Sequence, residues 1–463
     1  MTDVDELIRL VGPHRVSTDT EDLIRHSRDM SSTALIAKRE GTSTADAACV
    51  VRPRETEQVT AILRWAEETG TSVVPYGGGS GVCEGIKPGG AVVVDTRAMC
   101  EILDFDDKSR LVRVEAGTLG PDLQKALATW GHMHGHEPQS MAISTVGGWV
   151  ATRACGQLSV RYGGIEDMVA GVEAVLPGGR VVRSDPTPRS STGPDVARLM
   201  IGSEGSLGIV TEVTMRVHPI PLERAHACVV FEHMSDGVAA CRRIVQSDLA
   251  PTMMRLYDRD DASLLLMRIE GAEPTCLLLL TFDGAAATDR ARRAVEIAQG
   301  EPGDPALVEH WWAHRNDAVE YFQEVMAGEG LLGPHALVDT MEVSGTWSAL
   351  RGLYHSVKDG LAAHADFVGC HLSHAYTDGA CLYFTMAAAC DDDDSARARH
   401  AVWWTTGMEA CLSAGGSISH HHGIGRLKAP WIRRQLGGWW DVLRAVKSAV
   451  DPKGIMNPGV LGL

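Results

Sequence analysis

Positive charge is scarce in this sequence. Lys and Arg together number 43 against 60 Asp and Glu in 463 residues, a formal net charge of −17. That balance excludes non-specific binding to nucleic acid or to an anionic membrane, and an anionic ligand needs local Arg or Lys to hold it. No CxxC pair occurs among the 11 cysteines, which removes zinc-ribbon and thioredoxin-like readings. An odd number of scattered thiols (Cys49, Cys83, Cys100, Cys155 and onward) points to reduced cysteines inside a cell. The longest strongly apolar run, Cys276 to Leu280, is far too short to span a bilayer. The acidic start lacks a signal-peptide apolar region, and no peroxisomal or ER address stands at Leu463. The expectation is a cytoplasmic protein with no nucleic-acid partner and no transmembrane segment. Internal repeats, coiled coils and low-complexity tracts are absent as well.

What is present is an ordinary globular composition, 44% hydrophobic and 22% charged. A chain of this length exceeds one compact core, so two domains are expected. Residues 1–50 are polar and weakly patterned. Helical spacing of Val59, Ile62, Leu63 and Ala66 predicts a helix from Glu55 that stops at Gly70, followed by a buried strand at Thr71 to Pro75. Further strands at 91–95 and 111–115 and a helix at 120–130 give an α/β layered unit. A hairpin follows at 171–183 around Pro177-Gly178-Gly179, then a strand at 210–217. Pro219 and Pro221 mark a domain boundary. Beyond them, strands at 227–231, 252–256, 276–282, 366–372 and 380–387 alternate with helices at 237–246, 285–299, 305–327, 346–362 and 395–414. That half reads as an α+β domain with an antiparallel sheet. The acidic run Asp391 to Asp394 reads as a cap or a solvated loop.

Glycine concentrates in three loops, at 77–81, 144–156 and 202–209. Consecutive small residues let backbone N–H groups converge on oxygen anions, as in a phosphate cradle. The first loop follows a buried strand, yet no GxGxxG opens a helix there and no GxxxxGK[ST] occurs. A fourth glycine-flanked stretch, Gly415-Gly-Ser-Ile-Ser-His-His-His-Gly-Ile-Gly425, places His420, His421 and His422 in a row. Such a row suits a metal site or proton transfer. In an extended segment His420 and His422 point one way and His421 the other, so all three converge only if the loop turns. His132, His134 and His136 also alternate along one strand face.

The wording of the loops, Pro75-Tyr-Gly-Gly-Gly-Ser-Gly81, Ser144-Thr-Val-Gly-Gly-Trp-Val150 and Gly202-Ser-Glu-Gly-Ser-Leu-Gly-Ile-Val210, resembles the flavin-binding loops of the vanillyl-alcohol-oxidase / p-cresol-methylhydroxylase superfamily. The resemblance implies bound FAD, with pyrophosphate on the first loop and isoalloxazine along the second and third. Its cofactor-binding positions would be Pro75, Tyr76, Gly77, Gly78, Gly79, Ser80, Gly81, Gln139, Ser140, Ser144, Thr145, Gly147, Gly148, Thr152, Arg153, Ala154, Cys155, Glu204, Gly205, Gly208, Ile209 and Val210. Some members attach flavin through a histidine just after the first loop. Val82 stands there, so FAD is expected to be non-covalent, with a thioether at Cys155 formally open.

Within that superfamily, the D-2-hydroxy-acid dehydrogenase branch holds a divalent cation through HxGDGNxH and GEHG. Here Tyr383 replaces the second histidine and His-His-His-Gly replaces the late motif, so no metal is expected. The segments Gly135-His-Glu-Pro138 with Ser140, Ile165-Glu-Asp167, Ser191 to Asp195, Arg255-Leu256, Gly379-Ala-Cys-Leu-Tyr-Phe384 and Ser417 to Gly425 instead resemble the alkylglycerone-phosphate synthase (alkyl-dihydroxyacetonephosphate synthase) family. The resemblance implies a fold of class α+β. A PCMH-type FAD-binding domain of two α/β subdomains would span 1–221, and a cap or substrate domain of the FAD-linked oxidase C-terminal type 222–419. Residues 420–463 would return to the FAD domain.

It also implies Tyr383 as acid/base and His420, His421 and His422 as a relay beside flavin N5. Arg255 would bind a small anionic or lipid-like substrate, a ketone phosphate or carboxylate. A phenol unperturbed at about pH 10 is a poor base near neutrality, so its proton must be relayed or its anion stabilised. The synthase chemistry is redox-neutral and belongs to ether-lipid biosynthesis. The alternative is an FAD-dependent oxidase or dehydrogenase of a 2-hydroxy acid or alcohol, with conventional hydride transfer. A homodimer stays open. Arg426 stands where the synthase pattern has lysine, and the tail Met456-Asn-Pro-Gly459 is closer to the dehydrogenase ending.

Overall fold

The computed structural model describes residues 2–266 and 274–463. They form two compact units, one of Met1–Ala154, Gly164–Ile220 and His421–Leu463, the other of Cys155–Gly163 and Pro221–His420. The main crossing between the units falls at 220/221. The excursion of residues 155–163 into the second unit has no proline marker.

In the first unit, β1 (Val16–Ser17), β2 (Cys49–Val51), β4 (Val92–Asp95) and β3 (Val73–Tyr76) lie side by side in that order. β2 and β3 both run parallel to β4. The runs Cys-Val-Val and Val-Val-Val are buried throughout because both faces of a parallel sheet are covered. The helix Thr56–Thr69 links β2 to β3 and buries Val59, Ile62, Leu63 and Ala66. Gly70 ends it in the left-handed region at φ 69°.

A second sheet of this unit has the order β5 (Ile102–Asp106), β6 (Leu111–Glu115), β10 (Ile209–Arg216), β8 (Val169–Leu176), β9 (Arg180–Arg183). Its neighbours are antiparallel. The β8–β9 turn sits on the Thr56–Thr69 helix, since a Cβ on Gly179 would lie 2.6 Å from the Thr60 carbonyl oxygen. β7 (His132–Met133) and β11 (His218–Pro219) make a small separate pair.

The second unit is built on seven antiparallel strands in the order β15 (Glu301–Pro302), β12 (Arg224–Phe231), β14 (Cys276–Asp283), β13 (Met253–Tyr257), β17 (Phe367–Ser373), β18 (Gly379–Ala388), β16 (Leu337–Thr346). β14 is buried along its whole length, as its Cys-Leu-Leu-Leu-Leu-Thr-Phe-Asp sequence demands. The α+β class is therefore the observed one.

Several elements escape the sequence pattern. Helices Val4–Val11, Thr20–His26 and Ser32–Arg39 occupy the weakly patterned start, the first two capped by Asp3 and Asp19. β16 was invisible because its buried positions include Asp339 and Glu342, which break the apolar alternation. The second glycine stretch is partly helical, Val146–Thr152, with the Thr145 hydroxyl accepting from Gly148 N–H. Asp392 caps the Asp393–Ser413 helix, in keeping with the capping role read for the acidic run. Among the described residues no cysteine is in a disulfide, and no helix is long and apolar enough to cross a membrane. Leu279, fully buried at the centre of β14, tests the core of the second unit. Leu279→Ala should lower stability by about 2–5 kcal/mol in urea denaturation.

Candidate functional site

The first unit brings the glycine loops together through contacts that leave no room for side chains. A Cβ on Gly77 would lie 2.4 Å from Thr145 Oγ1, and one on Gly78 would lie 1.9 Å from the Ile143 carbonyl oxygen. The first loop therefore lies flat on the entry to the Val146–Thr152 helix. In the third loop, Gly205 at φ 73° packs on Pro75, and Gly208 packs on the Val175 carbonyl. Glu204 itself is left-handed at φ 49°. Its carboxylate accepts from the backbone N–H of Ile424 at 2.6 Å and of Gly425 at 2.8 Å. A Cβ on Gly425 would lie 1.7 Å from the Cys83 carbonyl oxygen, so the late loop also rests on the end of the first. Asn457 in the tail donates to the carbonyls of Glu204 and Gly85.

The remaining positions expected to bind cofactor play varied parts. Ser144 Oγ accepts from Trp149 Nε1 at 2.8 Å, Thr152 Oγ1 donates to the Gly148 carbonyl, and Gly147 packs on Ala116. The Ser140 carbonyl accepts from Ile143 and Ser144, while Gln139 precedes it half-buried. The Ala154 N–H donates to the Trp149 carbonyl. Tyr76 is buried against His26, with ring centroids 4.5 Å apart. Ile209 and Val210 open β10. Arg153 is exposed and pairs with Glu166 at 3.1 Å. Gly79, Ser80 and Gly81 complete the first loop, and the Gly81 carbonyl accepts from Met30 N–H. Cys155 clusters with the second unit and not with these loops.

A flavin fits this cradle. Gly77 and Gly78 can carry no side chain, which leaves a bare backbone stretch of the kind whose N–H groups cradle phosphate oxygens. His136 is fully buried against Trp149, with ring centroids 4.7 Å apart. Both of its ring nitrogens lack a partner, a costly state that a polar heterocycle would relieve. Burial pushes the pKa of His134 and His136 down to about 3, so both are neutral and unsuited to holding an anion by charge.

In the second unit, strand register aligns Tyr257 (β13), His371 (β17), Tyr383 (β18) and Glu342 (β16) in one row across four strands. The His371 and Tyr383 rings stack at 4.7 Å with 19° between planes. Arg255, two residues before Tyr257 on the same strand face, donates through Nη2 to His371 Nε2. His371 Nδ1 lies 2.8 Å from Asp261 Oδ2. Burial pushes the Tyr383 phenol above its ordinary range, opposed by the Thr340 hydrogen bond and the Arg255 charge. Tyr383 is thus a neutral phenol near pH 7.

The three histidines are divided between the two units. His420 belongs to the second unit, whereas His421 and His422 belong to the first. The His420 backbone N–H and the Ser419 hydroxyl both donate to the fully buried Glu342 carboxylate. His420 Nε2 is 2.9 Å from the Tyr376 hydroxyl, and its ring stacks on His374 at 5.0 Å. His374 Nδ1 is 2.7 Å from Ser159 Oγ, and Tyr376 also approaches Cys155 Sγ at 3.6 Å. Cys155, His374 and His420 each offer a donor atom within 4.8 Å of the others, the sulfur–nitrogen set that zinc-like ions take. Hydrogen bonds through Tyr376 already join two of the three. The His421 and His422 rings meet edge to face at 4.6 Å.

The sequence reading missed His371, Asp261, Glu342 and Tyr376. The available signal was polar residues inside otherwise apolar strands, as with His371 in Phe367–Ser373.

Known proteins extend this picture. The family described as FAD linked oxidases, C-terminal domain, matches residues 220–461, and an FAD binding domain matches 47–185. The FAD-linked oxidoreductase YgcU of Escherichia coli O157:H7 is 33% identical over 99% of this chain and 97% of its own. Alkyldihydroxyacetonephosphate synthase of Dictyostelium discoideum is 30% identical over 98% of this chain and 80% of its own. A solved structure of alkyldihydroxyacetonephosphate synthase superposes with a TM-score of 0.79 at 26% identity, covering 98% of this chain and 84% of that one. FAD is the cofactor.

Burial raises the pKa of the Glu204 carboxyl to about 7, against 4.5 for an ordinary glutamate. A raised folded pKa contributes stability that is complete below about pH 4.5 and is lost as pH rises through about 7. Asp29, raised to about 6, acts in the same direction. Glu204→Gln removes the titration but turns an amide NH2 toward one of the Ile424 and Gly425 N–H groups, so in thermal melts it should start below wild type at pH 5 and close the gap by up to roughly 3 kcal/mol by pH 8.

Proposed function

The chain belongs to the FAD-linked oxidase family, and on that premise we propose that this FAD-dependent enzyme acts as an alkylglycerone-phosphate synthase does. It would replace the acyloxy group of an acylated ketone phosphate by the alkoxy group of a long-chain alcohol, releasing the acyl chain as its carboxylate, with no net redox change. The observation that carries the reading is the polar row on the second-unit sheet, where Arg255, His371, Tyr383 and Glu342 interrupt apolar strands.

Bound FAD supplies an electrophilic ring at the reacting carbon. Pro75 to Gly81, Ser144 to Ala154 and Glu204 to Val210 would hold it. Arg255 pairs with the phosphate, which a planar guanidinium does bidentately. Tyr383 exchanges a proton with C1 of the substrate. Its phenol is protonated at rest, so a proton taken from carbon must be passed on by relay and is not removed by a standing phenolate. His420, hydrogen-bonded to Tyr376, gives the same unit a second acid/base pair. His421 and His422 serve as hydrogen-bonding groups of the first unit.

The neutral phenol also favours a second reading, oxidation of a 2-hydroxy acid. There Tyr383 would donate a hydrogen bond to the substrate oxygen and Arg255 would hold the carboxylate. Anaerobic mixing separates the two. Acylated dihydroxyacetone phosphate with a fatty alcohol should yield an ether and leave the flavin oxidised at the end. Lasting bleaching by D-2-hydroxy acids without ether formation would remove the synthase reading. Tyr383→Phe should lower turnover by about 10²–10⁴-fold in either case. Non-covalent attachment predicts that acid precipitation leaves a white pellet and a yellow supernatant; a yellow pellet would mean a covalent bond.

A further inference from the structure

We propose that His371 and Asp261 are positioning residues that hold Arg255 as the oxyanion-binding group of the second unit. The inference rests on the substrate role given to Arg255 above and adds the device that makes that role work.

Arg255 is 8% exposed. Among the described residues its guanidinium forms no ion pair with a carboxylate, and its hydrogen-bond partner is an imidazole. A buried cation without a partner is costly, so its surroundings must compensate the charge. They do so on two sides. The guanidinium carbon lies 5.6 Å from the Tyr257 ring centre and 5.3 Å from that of Trp311, so aromatic faces attend the cation. Its Nη2 then donates to His371 Nε2.

Arginine has no acceptor, so that contact requires a bare Nε2 and places the His371 proton on Nδ1. There it is 2.8 Å from Asp261 Oδ2. The carboxylate thus reaches the guanidinium through a neutral imidazole and fixes both its tautomer and its angle. Asp261 is fixed in turn, because its backbone N–H donates to Asp258 Oδ1, which also accepts from Cys370 N–H on β17. Space for it depends on Gly369, where a Cβ would lie 2.7 Å from Asp261 Oδ1. The same imidazole stacks on Tyr383, so one side chain orients both the cation and the proposed acid.

Arg255 Nε is buried and has no partner. A direct ion pair with Asp261 would have consumed the cation's free edge. The imidazole spacer leaves that donor for a ligand oxyanion, carboxylate or phosphate.

The test uses the FAD-loaded full chain, with inorganic phosphate and oxalate as separate calorimetric probes. His371→Asn and His371→Gln are the informative pair. A glutamine amide oxygen reaches the Nε2 position and can accept from Arg255, whereas an asparagine amide reaches only the Nδ1 position. Flavin absorbance and melting temperature check that each variant folds. His371→Gln should bind the preferred anion within about threefold of wild type, and His371→Asn should weaken it by at least about tenfold, roughly 1.4 kcal/mol. Asp261→Asn should also weaken binding.

Equal binding by His371→Asn and wild type, with Arg255→Ala inactive in binding, overturns the positioning device and leaves the Arg255 assignment standing. Unchanged binding by Arg255→Ala overturns the assignment and the device together. Failure of wild type to bind either anion does the same. Preference for phosphate over oxalate identifies the phosphate-bearing substrate class, and the reverse identifies the carboxylate.

Discussion

The carboxylate of Glu204 joins parts of the chain that are 220 and 221 residues apart. It reaches from the third glycine loop to the backbone of the late loop. A backbone N–H has no alternative partner once water is removed, so two such groups directed at one acid make a strong mutual constraint. The rest of the first unit follows from it. Gly425 can then press on the Cys83 carbonyl, and Asn457 can close the tail onto the Glu204 carbonyl. Further along, the Lys447 ammonium donates to the Ser206 carbonyl and the Asn457 N–H to the Val73 carbonyl, so the late segment is held at several points. Burial charges for the arrangement by pushing the acid's pKa up to about 7, so its anchoring strength is tied to pH.

The second unit solves a different problem, that of keeping ionisable groups inside an apolar sheet. It does so by giving each a hydrogen-bonding partner from a neighbouring strand, helix or loop. Glu342 is satisfied by backbone and hydroxyl donors from the segment that carries His420. His371 stays neutral because burial and the adjacent Arg255 both oppose its protonation. Tyr383 stays protonated for the first of those reasons. The two proposed readings, a ketone phosphate or a hydroxy acid as substrate, would draw on these same side chains and differ in what the flavin does.

The run of histidines straddles the division of the chain into its two compact units. His420 is held by Glu342 and Tyr376, while His421 and His422 belong to the other compact unit. The run is therefore a crossing point of the chain as much as a chemical feature. His371, which Arg255 touches, and Asp261 behind that imidazole stand 116 and 6 residues further along than Arg255, and no spacing rule links them.

Periodicity determined much by itself. The Thr56–Thr69 helix, the β8–β9 hairpin and the apolar strands of the second unit were legible because burial imposes a repeat of 3.6 or 2 on residue type. The three glycine loops were legible as a group, and the first two lie within residues 47–185, where the FAD-binding family matches. Short capped helices near the start and the carboxylate-bearing strand Leu337–Thr346 were not, because polar buried residues erase the repeat. Only the tertiary structure decided which polar residues meet. The Tyr257–His371–Tyr383–Glu342 row and the Glu204 joint depend on strand register and loop return, and these are set by long-range packing that no local pattern encodes.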